Sequence, residues 1–233
     1  MFSRIQESQF NTIYDLGSGT GNITKMLHTH WPNSTITGVD SSQEMLEKAK
    51  IDGDGINWIQ ADLNSWEPET QADLIFSNAT LHWLDNHETL LPRLMGLVSS
   101  NGILAVQMPN NFNSPTHRCI FDTIESRDWG IDFAGLYRGQ PVLEASAYHQ
   151  LLEPFSSEIW IWETTYLHVL KGDNPVVQWT KGSVLRPFLQ VLSSERAEKF
   201  ETEYSRRILE AYPSVNGITY MPFKRLFMVV RAK

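Results

Sequence analysis

The chain has 233 residues, 41% hydrophobic and 20% charged, with a formal net charge of −8: enough for one domain or one domain with a sizeable insertion, and too acidic for a protein that coats nucleic acid. No apolar run approaches the roughly 18 residues of a membrane helix, and Met1–Phe10, with one Arg and no apolar centre, does not read as a signal peptide. The single cysteine, Cys119, excludes a disulfide framework and a thiolate zinc cluster and suits a reducing cytosol, so a cytoplasmic protein is expected.

Ile13–Leu16 reads as a strand running into a Gly-rich turn, Thr20–Trp31 as a helix stopped at Pro32, and Thr35–Asp40 as a second strand. Ser41 or Ser42 then caps a helix to Lys50, with Glu44 placed for a capping box. Ile56–Gln60 and Asp73–Ser77 are further strands. Pro92–Val98 closes a helix, Asn101-Gly102 turns the chain, and Ile103–Met108 is a fifth strand. Strand and helix alternating at this spacing imply an α/β fold, a doubly wound, mostly parallel, Rossmann-like sheet. After Pro109 comes a loop over residues 110–115. Residues 116–155 mix helix with Gly/Pro-rich turns, Ser157–Leu170 is a long strand, and Pro175–Tyr212 is helical with breaks near Gly182 and Ser193-Ser194. Tyr220–Arg231 is the last strand.

Charge is uneven along the chain: residues 1–178 carry a balance of −13 and residues 179–233 one of +5. A solvated basic helix explains this, and so does a pocket for an acidic small molecule.

Asp15-Leu16-Gly17-Ser18-Gly19-Thr20-Gly21-Asn22 sits where the first strand turns into the first helix, the usual ligand position in an open α/β sheet. Gly17 and Gly19 remove side chains so that a ligand can approach the backbone, and Gly21 lets the helix pack closely. The spacing is G-x-G-x-G; a dinucleotide fingerprint needs a third Gly where Asn22 stands. Asp15 would repel a pyrophosphate at the helix start but would welcome an amino group. These two residues disfavour an NAD-dependent oxidoreductase. Asp40 ends the second strand, where a carboxylate accepts both ribose hydroxyls. Amino acid at one end and ribose at the other describe S-adenosylmethionine. Met45 reads either as a cover for the adenine face or as a core methionine, and Asp62 as an acceptor for the adenine amino group or as a loop cap. Among the His, Cys and carboxylate residues no metal-ligand spacing occurs, so no metal is expected.

The chain resembles the class I S-adenosylmethionine-dependent methyltransferases, and among them the bacterial trans-aconitate methyltransferases. The finer resemblance lies in Ser77-Asn78-Ala79-Thr80-Leu81-His82-Trp83, Leu104–Asn111, Ser114-Pro115-Thr116-His117, Val177–Gly182, Leu185-Arg186-Pro187-Phe188, Tyr204–Ile208, Ala211-Tyr212-Pro213 and Arg225-Leu226-Phe227. It runs from about Asp15 to the last residue. It implies a carboxyl O-methyltransferase that makes a monomethyl ester of a small polycarboxylic acid and releases S-adenosylhomocysteine. It also adds Asn78 to the cofactor residues and divides a single domain, 1–233, into a cofactor-binding core (1–109) and a substrate-side part (110–233) with a late helical cap and the final strands. Ser18 stands where many members have Cys, a position expected to contribute mainly backbone. Members also carry a longer N-terminal segment whose helix folds over the cofactor, whereas 14 residues precede Asp15 here; the expectation is a wetter, weaker cofactor site. Two alternatives accompany this reading: a malonyl-carrier-protein methyltransferase of biotin synthesis, and a cofactor-binding pseudoenzyme with an incomplete lid.

A carboxylate, with an ordinary pKa near ~4, is already the nucleophile at pH 7, so no catalytic acid or base is expected. The acid's other carboxylates call for Arg, whose fork pairs bidentately. Arg186, Arg206 or Arg207, and Arg225 are the candidates; Arg206 and Arg207, adjacent on a helix, cannot both face inward. Trp83 and Trp179 are expected to wall the pocket, with Tyr204 and Tyr212 as further aromatics. His117 is expected to hydrogen-bond a carboxylate, whereas His82 reads as structural.

Overall fold

The computed structural model describes residues 1–5, 9–136 and 142–233; the part of the expected Gly/Pro-rich turns at 137–141 lies outside them. The chain divides into two compact units. One comprises Met1–Pro109, Pro141–Thr164 and Arg225–Lys233, the other Asn110–Gln140 and Thr165–Lys224.

The first unit is built on a seven-stranded sheet: β1 (Thr12–Leu16), β2 (Thr35–Asp40), β3 (Asn57–Gln60), β4 (Ala72–Asn78), β5 (Val98–Pro109), β6 (Ser156–Lys171) and β7 (Ile218–Ala232), in the order β3-β2-β1-β4-β5-β7-β6. The helices between the early strands are α1 (Asn22–His30), α2 (Gln43–Lys50) and α3 (His87–Gly96); α4 (Pro115–Glu125) and α5 (Ala145–Leu152) follow β5. β1 to β5 are parallel and β7 runs antiparallel to β5. Four of the five β1 residues are buried, as a central strand covered on both faces requires. Ile13, Ile36, Leu74, Phe76, Ile103 and Val229 form its core with Leu27 and Trp31 beyond them. Parallel pairing brings the carboxyl ends of β1, β2, β3 and β4 to one edge: Asp15 pairs with both Gly38 and Phe76, and Asp40 with Gln60. The strand order reverses at β1/β4, the switch point where such sheets bind ligands.

Three local expectations are corrected. α1 starts at Asn22, because Gly21 occupies its N-cap in the left-handed region (φ 80°). α2 is capped by Ser42, whose hydroxyl accepts from the Met45 amide at 3.3 Å. That makes Met45 the third helical residue, so Glu44 cannot close a capping box and instead pairs with Lys48 at 2.6 Å. Finally, β5 begins at Val98, not Ile103. Its register against β4 jumps from Ala72↔Val98 to Leu74↔Ile103, and Asn101, at φ 62°, lies in an excursion inside the strand.

After β4 the chain makes a short 3-10 turn, Leu81–Trp83. A buried network fixes it. The Leu143 amide donates to the Tyr148 hydroxyl at 3.1 Å, the hydroxyl lies 2.5 Å from His87 Nδ1, and His87 Nε2 lies 2.9 Å from the Leu81 carbonyl. The carbonyl can only accept, so Nε2 carries the ring proton and Tyr148 donates to Nδ1. α5 is thereby tied through α3 to the turn that carries His82 and Trp83.

The second unit is helical: α4, α6 (Pro175–Lys181), α7 (Arg186–Gln190) and α8 (Ser194–Ala211). Phe200, Tyr204 and Ile208 repeat every four residues along α8, forming its buried stripe. They pack with Cys119, Ile120, Trp129, Phe133, Val177 and Phe188. Tyr204 is core: fully buried, its hydroxyl bonding the Thr116 carbonyl and the Thr180 hydroxyl, each at 3.2 Å.

Tyr148→Phe leaves His87 Nδ1 and the Leu143 amide buried without partners. Urea unfolding is expected to show a loss of about 2–3 kcal/mol; a loss below about 0.5 kcal/mol would mean that the network does not hold the turn.

Candidate active site

The Gly-rich turn is held from below by β2. The Gly17 and Ser18 amides both donate to the Val39 carbonyl, at 2.7 and 3.0 Å, and Gly21 donates to Ser18 at 2.9 Å. Asp40 then joins two loops: Oδ2 accepts from the Gly19 amide and Oδ1 from the Ser42 amide, each at 2.8 Å. A carboxylate has about four acceptor positions, so each oxygen retains one for a ligand hydroxyl.

The glycines have different reasons to be glycine. A Cβ on Gly17 would lie 2.1 Å from the Thr80 side chain, and Thr80 Oγ1 donates to the Gly17 carbonyl at 3.2 Å. Gly17 is therefore bare to admit Thr80, a steric reason separate from any approach of a ligand to its backbone. Gly21 faces Trp58 (2.5 Å) and Ala49 (3.1 Å), close packing of the helix start. At Gly19 a Cβ would meet nothing within 4 Å. Its φ of 54° lies where L side chains are strained, so this residue presents bare backbone to open space.

Asp15, Gly17, Ser18, Gly19 and Asn78 line a cavity of about 210 Å³. That is below the roughly 300–1,000 Å³ of a site for a whole drug-sized ligand. Asp15 is buried, and the side-chain donor to it among the described residues is a neutral group, the Thr24 hydroxyl at 2.6 Å. Burial pushes the Asp15 pKa up to about 7; Thr24 opposes this and the charge of Asp40 adds to it. Ser18 Oγ is buried in the same wall without a hydrogen-bond partner among the described residues. Ala79, which follows Asn78, is held at φ 54°, and its amide donates to the Gln107 carbonyl at 2.8 Å. Backbone strain of this kind clusters at functional sites.

Met45 is 39% exposed on α2. Asp62 lies two residues past Gln60, the ladder partner of Asp40, and its Oδ1 accepts from both the amide and the side chain of Asn64 at 2.9 Å. The loop-cap reading of Asp62 is thus realised, with Oδ2 the oxygen left for an adenine amino group.

At the same edge lie Trp83, 55% exposed, and the buried His82, whose ring centroid is 4.7 Å from that of Trp83. Burial first, then the charges of His87 and Arg225, lower the His82 pKa to about 4, so the ring is neutral at physiological pH. Arg225 donates to Gln107 Oε1 at 3.0 Å. His82, read as structural, and Gln107 each hold a buried polar atom, Nδ1 and Nε2, without a hydrogen-bond partner among the described residues.

In the helical unit, Arg186 opens α7 and is exposed. His117 on α4 is buried, with Nδ1 3.3 Å from the Thr116 hydroxyl, and burial lowers its pKa to about 4. Trp179 packs edge-on against Phe223, centroids 5.2 Å apart. Of the adjacent arginines, Arg207 turns inward (23% exposed) while Arg206 is 52% exposed and bridges Glu203 and Glu210 at 2.9 and 2.5 Å. The expectation that Arg206 faces a pocket is corrected: the α8 stripe of Phe200, Tyr204 and Ile208 points the other way. No group of three or more His, Cys, Asp or Glu among the described residues is placed to hold a metal ion. No described helix is long and apolar enough to cross a membrane.

A reversed parallel sheet, an acidic residue before a glycine turn and a second acid closing the next strand define an α/β methyltransferase domain. A methyltransferase-domain family matches residues 13–102. The chain is 38% identical over 230 residues to a trans-aconitate 2-methyltransferase of Azoarcus sp. (strain BH72), covering 98% of this chain and 90% of that one. It is 40% identical over 222 residues to one from Agrobacterium fabrum, covering 94% and 87%. It shares its fold, at a TM-score of 0.53 and 17% identity over 96% of this chain and 77% of the other, with the plantazolicin methyltransferase crystallised with a desmethyl substrate analogue and S-adenosylhomocysteine. The chain belongs to the trans-aconitate 2-methyltransferase family.

Asp15, with a folded-state pKa near 7 against an ordinary 3.8, binds more protons in the folded than in the unfolded chain between those values. Stability therefore falls as pH rises from about 4 to 7. Asp15→Asn removes that loss: it should match the wild type in urea unfolding at pH 4 and exceed it at pH 8. A variant less stable than wild type at pH 8 contradicts the burial argument.

Proposed function

We propose that this protein esterifies one carboxylate of trans-aconitate, or of a close tricarboxylate, with the methyl group of S-adenosylmethionine, in the cytoplasm. The observation that carries the reading is the near full-length identity with trans-aconitate 2-methyltransferases, joined to a cavity whose donors and acceptors fit that cofactor. When bound, S-adenosylmethionine supplies an electrophilic methyl group.

This chain's residues do the holding. The buried Asp15 takes the ammonium group, since a cation there restores its carboxylate form. The open backbone at Gly19 and the orphaned Ser18 hydroxyl face the amino-acid end, with Gly17, Gly21 and Asn78 shaping the wall. Asp40 accepts from the ribose hydroxyls, Met45 covers the adenine and Asp62 accepts from its amino group. Arg186, Arg225, Trp83, His117 and Trp179 are assigned to the acid. The acid is ionised at pH 7 and is its own nucleophile, so no side chain has to remove a proton. Positioning and exclusion of water remain as the protein's contribution, and good positioning is worth on the order of 7–11 kcal/mol.

Incubation with trans-aconitate and S-adenosylmethionine labelled with ¹³C in the methyl group should give one methyl-ester resonance per acid. Malonyl carrier-protein thioester should give none. Arg186→Ala should raise KM by roughly tenfold or more, the loss of about 1.4 kcal/mol of carboxylate binding. Ester formation on the carrier-bound malonyl group alone would contradict the assignment.

A further inference from the structure

β5 carries, opposite the cavity-lining Asn78, a side chain that the reading above leaves unused. Gln107 is 2% exposed, and its Nε2 is buried with no hydrogen-bond partner among the described residues. Its Oε1 accepts from Arg225 at 3.0 Å. A guanidinium has donors and no acceptor, so the amide can face Arg225 only through its oxygen, and the NH2 group must point elsewhere. An unsatisfied buried donor costs about 1–3 kcal/mol, which a merely structural glutamine would shed by accepting substitution.

Its place indicates the use. Gln107 pairs with Asn78 across the parallel β4–β5 ladder. Paired residues share a face of the sheet and stand about 4.8 Å apart, and Asn78 lines the cavity with Asp15 and Gly19. His82, also buried, has an orphaned Nδ1 of its own and senses the Arg225 charge. A carboxamide NH2, a neutral imidazole and a guanidinium one bond further back thus gather beside the cofactor residues. Such a set recognises a carboxylate.

Charge decides which carboxylate. Esterification cancels the negative charge of the acceptor carboxylate. A cation pressed against that group would stabilise the reactant more than the transition state and would slow transfer. A neutral carboxamide orients the group with a smaller penalty, because it lacks the full charge whose attraction to the carboxylate is lost on transfer. The acid's other carboxylates keep their charge and suit direct arginine contacts.

We infer that the Gln107 carboxamide, oriented by Arg225, hydrogen-bonds the very carboxylate that receives the methyl group, with His82 as a second neutral neighbour. The inference rests on the reading of this chain as a carboxylate methyltransferase. It makes Gln107 a binding residue of the reacting group, and Arg225 a positioning residue that acts through it.

The test uses Gln107→Met, similar in volume and without donors, and Gln107→Asn, which withdraws the amide by one methylene. For each, S-adenosylhomocysteine affinity is measured by calorimetry, kcat and KM with trans-aconitate, and ester regiochemistry by NMR. Both variants should hold S-adenosylhomocysteine within threefold of wild type and lose roughly 10²-fold in kcat, the cost of misplacing a reacting group by about 1 Å. KM should change much less, and the wild type's single ester should become a mixture, which a loss of stability alone would not produce. Arg225→Lys, which keeps a donor for Oε1, should retain more kcat than Arg225→Met. If Gln107→Met fails to bind S-adenosylhomocysteine, Gln107→Asn decides. Active wild type with kcat within threefold in Gln107→Asn and one unchanged ester overturns the inference alone. A wild type that esterifies no free acid overturns the underlying reading, and the inference with it.

Discussion

Two backbone amides, from Gly19 in the turn after β1 and Ser42 at the start of α2, converge at 2.8 Å on the two oxygens of Asp40. Because β1 and β2 are neighbours in register, this one carboxylate locks the glycine turn over the sheet edge and sets the cap of α2. With the turn pinned, Gly19 is left facing open space while Gly17 and Gly21 are closed over by Thr80 and Trp58. The cavity, the depth of Asp15 beneath it and the placement of Met45 on α2 all follow from that clamp. Asp40 is thus structural before any ligand arrives, and it meets a ligand with the acceptor capacity left over.

The site is also quieter electrically than its composition implies. Asp15 sits at the midpoint of its titration near neutral pH, and His82 and His117 are both held neutral by burial. A cation placed beside Asp15 would favour its carboxylate form and shift that balance. On the acceptor side, neutral donors stand where a charge is to disappear, and the guanidinium of Arg225 is kept behind the amide of Gln107. Both arrangements place charge where it helps the reaction and withhold it elsewhere.

How much of this was legible depended on the distance over which each feature is determined. The β1 turn could be read directly, since Asp15, the glycines and Asp40 lie within 26 consecutive residues and follow the geometry of one βαβ unit. The α2 cap was narrowed to two residues and no further, because Ser41 and Ser42 are equally good caps until Asp40 takes the Ser42 amide; the capping box expected at Glu44 fails with Ser42 as cap. The steric reason for Gly17 was not legible, because its partner Thr80 is 63 residues away. Arg206 was chosen over Arg207 because the direction of the α8 stripe emerges only once Phe200, Tyr204 and Ile208 are seen to be buried. Gln107 carried no signal, since its Arg225 partner is 118 residues distant and reaches it through an antiparallel pairing that the local sequence does not encode.

The central claim is that Asp15 receives the ammonium group of an S-adenosyl ligand. The most direct measurement is calorimetric titration of S-adenosylhomocysteine at pH 7 in buffers of different ionisation enthalpy. With the Asp15 pKa raised to about 7, binding should release a fraction of a proton per site at pH 7, and Asp15→Asn should abolish the release. Tight binding with no proton released at pH 7, or with the same release in Asp15→Asn, would contradict the account.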